Sequence, residues 1–147
     1  MKMSIREAIN QTLHQEMERD ERVIVLGEDV ASDQGGVYGV TDGLPAKFGL
    51  HRVIDTPITE SAIVGAAGGA ALTGLRPVAE LMFVDFLGVC LDQILNQIAK
   101  FRYMFGGQSI GNAVHATLIT GDIFAQHNDT LVAFHFLMEG LINRFAN

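Results

Sequence analysis

The sequence is short of the residues that mark several common classes of protein. It has a single cysteine, Cys90, which rules out an internal disulfide and fits a reducing compartment. Cys90 falls within an apolar helix pattern, where an inert buried thiol is expected. Three prolines stand against sixteen glycines, a balance that favours tight turns and close packing over a Pro-rich linker. Cationic residues are scarce as well: ten Lys and Arg against seventeen Asp and Glu give a net charge of −7. Apart from Lys100 and Arg102 the cations are scattered, so a nucleic-acid surface, which needs clustered positive charge, is excluded. No long apolar run is present. The opening Met-Lys-Met-Ser-Ile-Arg-Glu has no hydrophobic stretch behind its basic residues and does not read as a signal peptide. The small-apolar stretch at residues 61–75 contains four glycines and is too short to cross a bilayer. A soluble, cytoplasmic chain is expected.

What is present is the material of one packed domain. Of the 147 residues, 48% are hydrophobic and 18% charged, which excludes disorder and suffices for one real core. Ser4-Ile5-Arg6-Glu7 is a capping box, in which a hydroxyl and a carboxylate satisfy each other's orphan backbone donors. Ile5, Ala8, Ile9, Leu13 and Met17 then recur on one face, predicting a helix from Ile5 to Arg19. The continuous apolar run at residues 23–26 predicts a strand buried on both faces. It ends in Gly27-Glu28-Asp29 and a loop rich in Gly and Asp. A second strand is predicted at residues 52–55, stopped by Pro57. A Gly- and Ala-rich helix follows at residues 61–75. Each glycine there weakens the helix by about 1 kcal/mol, so a neighbouring helix or a subunit is expected to approach the backbone closely. Further expectations are a buried strand at residues 77–83 and a helix at residues 86–104 with Val89, Cys90, Ile94, Ile98 and Phe101 facing inward. A strand at residues 113–120 and a last helix at residues 130–145 complete the pattern. Strands alternating with helices at this spacing make an α/β fold, a parallel sheet flanked by helices on both faces. No repeat or linker interrupts it.

Several motifs occur in order along residues 3–108: Leu26-Gly27-Glu28-Asp29-Val30, Gly35-Gly36-Val37-Tyr38-Gly39-Val40, Asp55-Thr56-Pro57-Ile58-Thr59-Glu60, Gly74-Leu75-Arg76-Pro77-Val78-Ala79-Glu80 and Tyr103-Met104-Phe105-Gly106-Gly107-Gln108. On these the chain resembles the beta subunit of the thiamine-diphosphate-dependent decarboxylating component of 2-oxoacid dehydrogenase complexes. That group includes the pyruvate, acetoin and branched-chain enzymes, and the glycine-rich loop leans toward the first two. The resemblance implies a pyrimidine-binding domain of the thiamine-diphosphate-binding fold.

The resemblance gives Glu60 the role of facing N1′ of the aminopyrimidine. A carboxyl group sharing a proton there favours the 4′-imino tautomer, which takes the proton from C2 of the thiazolium, and the cofactor is then the electron sink for decarboxylation. Such sharing needs a raised carboxyl pKa, supplied by burial and opposed by the helix N-terminus. From the residue type alone a helix-capping acid is the better reading, and it is the resemblance that reverses the choice. Met82 and Phe86 lie at the strand edge where parallel α/β proteins open their crevice; the resemblance, in which Met and aromatic side chains there pack on the pyrimidine, makes them the candidates for that contact. Core packing is the other reading of both. Glu28, at a strand end in the same layer, is a second acid for the cofactor region or the subunit contact. Asp29, Asp42 and Asp55 read as solvated or turn-capping. Ala125-Gln126-His127 resembles, shifted by about two residues, a family segment whose histidine reaches the mouth of the site; the resemblance makes His127 a second catalytic candidate, and an ordinary loop histidine is the other reading. His14 and His51 are expected to be exposed. His115 and His135 have no partner at metal-ligand spacing, and no metal site is expected on this chain.

After Gln108 the sequence departs from the family pattern, and residues 109–147 are too few for the second domain of the resemblance. The expectation is therefore a single domain over residues 1–147, truncated, with a divergent tail. The family's diphosphate and magnesium are held by a Gly-Asp-Gly motif with a downstream Asn on an alpha subunit. Gly121-Asp122-Ile123 with Asn147 is only superficially similar, since Ile123 replaces the second glycine. The implied function is the aminopyrimidine half of a thiamine diphosphate site, active with an alpha-type partner in oxidative decarboxylation of a 2-oxo acid or in acetoin cleavage, and inactive alone. A lipoyl-bearing acyltransferase is a further implied partner. The alternative is a non-catalytic homologue that retains its oligomerisation surface and pairs with itself through the Gly-Ala helix.

Overall fold

The computed structural model describes residues 3–106 and 117–120. Four parallel strands, β1 (Val23–Gly27), β2 (Val53–Asp55), β3 (Arg76–Leu81) and β4 (Thr117–Thr120), lie in the order β2-β1-β3-β4. Val25 pairs with Val53 on one side and Val78 on the other, and Val78 pairs onward with Thr117.

Successive residues of a strand face opposite sides, and here each side meets a different cover. Val23, Val25, Val53 and Val78 pack with Leu13 and Met17 of helix α1 (Ile5–Arg19) and with Val30, Val40 and Leu44 of the β1–β2 connection. Ile24, Leu26 and Ala79 pack instead on Ile63 and Ala67 of helix α3 (Glu60–Leu72). The sheet is thus covered on both faces, as its continuous apolar strands require.

The start of α1 is the predicted capping box. Ser4 Oγ accepts from the Glu7 amide at 3.2 Å, and the Glu7 carboxylate accepts from the Ser4 amide at 2.8 Å. Leu13 and Met17 are its buried residues, whereas Ala8 is exposed. The Arg52 guanidinium ties α1 to the sheet by donating to the carbonyls of Met17, Asp20 and Val23.

Three sequence expectations need correction. A short helix α2 (Leu44–Phe48), opened by Pro45 in its first turn, stands inside the connection read as loop. Helix α3 stops at Leu72 rather than reaching residue 75. The amides of Leu75 and Gly74 bond back to the carbonyls of Ala70 and Ala71, with Gly74 at φ 98°, the left-handed glycine closure of a helix C-terminus. The segment expected as one helix over residues 86–104 is a relay of turns. A 3-10 turn (Val84–Phe86) leads into α4 (Leu87–Asp92), a π turn (Gln93–Gln97), a 3-10 turn (Ile98–Lys100) and α5 (Phe101–Met104). Cys90, Ile94 and Ile98 pack on Val64 of α3 and on Leu81. Val89, in the regular α turn one residue before Cys90, points away from this seam and is 58% exposed, not inward as expected.

The close approach expected along α3 is made by this same relay. A Cβ on Gly68 would stand 2.7 Å from Ile98 Cγ1, and one on Gly65 3.0 Å from Gln93 Oε1. The predicted strand at residues 113–120 is present as β4 at its C-terminal half. The rest of it, the last helix, His115, His127, His135 and the Gly121–Asn147 pattern lie outside the described residues.

Candidate functional site

The chain leaves β1 toward β2 at one edge of the sheet, and leaves β3 toward β4 at the other. Connections from these two adjacent strands thus diverge, opening a crevice at the strand C-termini where α/β proteins place their ligands. Glu28 follows β1 directly. Glu80 and Met82 lie at the end of β3, and Glu60 opens α3 after β2.

The parts are pinned together locally. The hydroxyl of Ser61, next to Glu60, donates to the Val89 carbonyl at 2.6 Å, which seats the start of α3 against the segment that carries Phe86. Phe86 meets Phe83 edge to face at 5.7 Å and 85°, and Phe83 meets Tyr38 of the glycine-rich loop at 6.1 Å and 79°. That loop is held in turn by Thr41, whose hydroxyl donates to the Val30 carbonyl at 2.7 Å, and by Asp55, whose carboxylate accepts from the Ala31 amide at 2.6 Å. The Asn10 carboxamide donates to the carbonyls of Val40 and Asp42, both at 2.9 Å.

Of the residues singled out in the sequence, Glu28, Glu60, Met82 and Phe86 come to this edge. Glu60 is half-buried, and the N-cap Thr59 makes no side-chain capping bond, so the burial that proton sharing demands is only partly supplied by this chain. Met82 is half-buried and Phe86 is 40% exposed; neither is simple core. The Glu28 carboxyl is raised above its ordinary pKa by burial, then by the charges of Asp29 and Glu60. The Cys90 thiol is raised by burial first and Glu60 second, which fits the inert buried thiol expected. Asp29 takes a left-handed φ of 58° in the turn after Glu28, a conformation that aspartate tolerates. His14 is half-buried rather than exposed, since it bonds the Asp42 carbonyl and stacks on Phe48, while His51 is exposed.

Sequence reasoning passed over Glu80. It is 9% exposed, and its Oε2 is shielded from solvent without a hydrogen-bond partner. Burial, then the nearby charges of Glu28 and Asp29, push its pKa up to about 7. The available signal was a carboxylate inside a strand otherwise read as buried on both faces. Chemically, the edge combines several carboxyl groups, one of which, Glu80, holds a proton up to about pH 7, with partly open thioether and aromatic surface.

Comparison with known proteins agrees with this architecture. Residues 1–134 match the model of the transketolase pyrimidine binding domain. The chain belongs to that family. The domain is 50% identical to the beta subunit of acetoin:2,6-dichlorophenolindophenol oxidoreductase from Cupriavidus necator, over 95% of this chain and 44% of that protein. It is 43% identical to the beta subunit of the pyruvate dehydrogenase E1 component from Rhizobium meliloti, over 95% of this chain and 30% of that protein. It is also 52% identical to the 2-oxoisovalerate dehydrogenase beta subunit from Bacillus subtilis, over 69% of this chain and 31% of that protein. The chain thus spans less than half the length of these relatives. Among the described residues no helix is long and apolar enough to cross a membrane, and no group of three or more His, Cys, Asp or Glu is placed to hold a metal.

Proposed function

We propose that this domain supplies the aminopyrimidine side of a thiamine diphosphate site in a 2-oxoacid or acetoin dehydrogenase, completed by an alpha-type partner that holds diphosphate and magnesium. The observation that carries the reading is the convergence of Glu28, Glu60, Met82 and Phe86 at the divergence of the β1 and β3 connections. The donor set suits the group, because a flat, weakly basic heteroaromatic ring asks for apolar faces and an acid at its rim.

In this reading Met82 and Phe86 pack against the ring, and Glu60 holds a proton at N1′. Glu28 stands near enough for its charge and that of Glu60 to be felt, and burial with the charges of Asp29 and Glu60 raises its carboxyl pKa. When bound, the cofactor supplies the electron sink for cleavage beside the substrate carbonyl. The half-burial of Glu60 and the exposure of Ile58 (71%) and Phe86 support a second wall contributed from outside the chain. That wall completes the desolvation on which proton sharing depends. His127 is proposed as a further group at the mouth of the site, and a lipoyl-bearing acyltransferase as the acceptor of the product.

Calorimetric titration with thiamine diphosphate and magnesium, with and without an alpha-type partner, tests the reading. Heat that requires the partner and vanishes in Glu60→Ala is the expected result. Absence of binding in both conditions would leave the non-catalytic alternative standing. The chain alone is expected to show no decarboxylase turnover.

A further inference from the structure

Glu80 is not used by that function, yet it is the most constrained acid among the described residues. Its side chain leaves β3 on the same face as Val78, under the loop of residues 30–41. Pressed against it is Gly27: a Cβ there would stand 2.8 Å from Glu80 Cβ and 2.9 Å from Val30 Cγ1. Glu80 ends in a cavity of about 10 Å³ whose other walls include Val30, Gly35, Gly36, Tyr38, Val40 and Thr41. That volume holds one water at most. The loop is therefore a roof, Glu80 is the floor, and Tyr38 of the roof is the first ring of the ladder through Phe83 to Phe86.

We propose that Glu80 is a positioning residue: as a neutral carboxyl it seats the glycine-rich loop, and through Tyr38 and Phe83 it fixes Phe86 at the wall of the crevice, whereas its ionisation releases the loop. A neutral carboxyl is tolerated in a dry cavity, while an ionised one demands water or a cation. No Lys, Arg or His is among the described residues that line the cavity. The charges bearing on Glu80 are those of Glu28 and Asp29, both of the wrong sign to stabilise its anion. Tyr38 lines the same space. From α1, Arg6 comes near the loop at Gly39, and His14 bonds the Asp42 carbonyl and packs on Phe48; neither lines the cavity. Burial and these neighbours move the protonation of Glu80 to about pH 7, so the closed loop binds a proton that the open loop gives up. Linkage then fixes the sign and shape. Opening grows with pH between the ordinary carboxylate value and about 7, and levels off above it. The link to Phe86 rests on the proposed function for its catalytic meaning, but the clasp between Glu80 and the loop does not.

Amide exchange of residues 30–41 in the full chain, corrected for intrinsic rates, reads the clasp directly. The expected result is loop opening that rises about tenfold per pH unit from about pH 5 to about pH 7, and a flat profile in Glu80→Gln. A carbon-13 titration of the carboxyl groups in the unsubstituted chain needs no variant, and should place the Glu80 midpoint near 7. Selectively labelled Phe86 should report the same step, and should lose it in Tyr38→Leu. A flat exchange profile, an unchanged slope in Glu80→Gln, a Glu80 midpoint in the ordinary carboxylate range, or a Phe86 signal blind to pH would overturn the proposal. None of these readouts involves thiamine diphosphate, so failure of cofactor binding and failure of the clasp are separate results.

Discussion

Two adjacent glycines of α3 allow the packing of the relay against this helix to be separated from helix propensity. Gly68 is buried, and a methyl there would meet Ile98 Cγ1 at 2.7 Å, Ile98 Cδ1 at 3.0 Å and Phe101 Cε2 at 3.6 Å. Gly69 is exposed, with no heavy atom within 4 Å of the same methyl. Alanine favours the helix over glycine by about 1 kcal/mol at either position, so that gain cancels in the comparison. Forcing a methyl against Ile98 costs roughly 1–3 kcal/mol, since Cγ1 is close to the main chain and cannot swing away. Gly69→Ala should therefore stabilise the chain by about 1 kcal/mol, and Gly68→Ala should destabilise it by about 0–2 kcal/mol. Thermal or urea unfolding measures both, with about 3–4 °C in Tm for each kcal/mol in a chain of this size. Removing the obstacle should rescue the buried variant. In an Ile98→Ala background, Gly68→Ala should recover roughly 1–3 kcal/mol of coupling. Equal Tm shifts for the two glycine variants, or no coupling with Ile98, would refute the close approach of the relay to α3.

Ser4→Ala should cost about 1 kcal/mol by opening the capping box of α1, read as a lower urea midpoint with an unchanged slope. Asn10→Ala removes the side-chain donor of the Val40 carbonyl and leaves the Asp42 carbonyl to His14 alone; it should cost about 1–2 kcal/mol, with faster exchange confined to the loop if α1 itself stays folded. Glu80 has a folded pKa of about 7 against an ordinary 4.5, so its contribution to stability is whole below about pH 4.5 and gone above about pH 7. Integrated, that is a loss of about 3 kcal/mol over the interval, which Glu80→Gln should remove. A global loss smaller than this in the wild type, with the loop opening first, is the expected form, because local opening caps the penalty.

Much of the fold could be read from local rules that the structure obeys literally. The capping box needs only residues 4 and 7, and the two-faced burial of β1 needs only an uninterrupted Val23–Leu26 run. The readings that failed depended on geometry that periodicity does not carry. Helix α3 was read three residues too long although Gly74 stood at the position that closes it. The single helix expected over residues 86–104 is interrupted by a π turn at Gln93–Gln97, which no apolar period announces. Glu28, Glu60, Met82 and Phe86 lie at the end of a strand or the start of a helix, but it is the family resemblance, not a local pattern, that singles them out. Nothing local singles out Glu80, because no nearby residue says that the opposite face of β3 is roofed by a loop some forty residues earlier in the chain. Its signature was a conflict, an acid in a buried strand, and such conflicts mark strained or functional positions.

The distribution of acids bears on how a thiamine diphosphate site could be divided between two chains. Glu28, Glu60 and Glu80 belong to elements that end or begin at one sheet edge, and the described residues that line the Glu80 cavity bring no cation to it. Like charges gathered in a partly dry place are relieved in one of two ways, by taking up protons or by binding a positive group. The Glu80 carboxyl, pushed up to about 7 by burial and by the charges of Glu28 and Asp29, takes the first way. The second is what a thiazolium and an aminopyrimidine would supply. The same edge is hostile to a diphosphate, which no acid cluster can hold without an intervening metal or an opposing set of donors. On the proposed reading the ring end of the cofactor is favoured here for the same electrostatic reason that its phosphate end must be anchored on another chain. The chain's net charge of −7 extends that preference over longer range, weakened by salt. Affinity for the ring end alone should therefore fall with ionic strength, and on the proposed reading a partner that holds the diphosphate would set the orientation in which the ring arrives at Glu60.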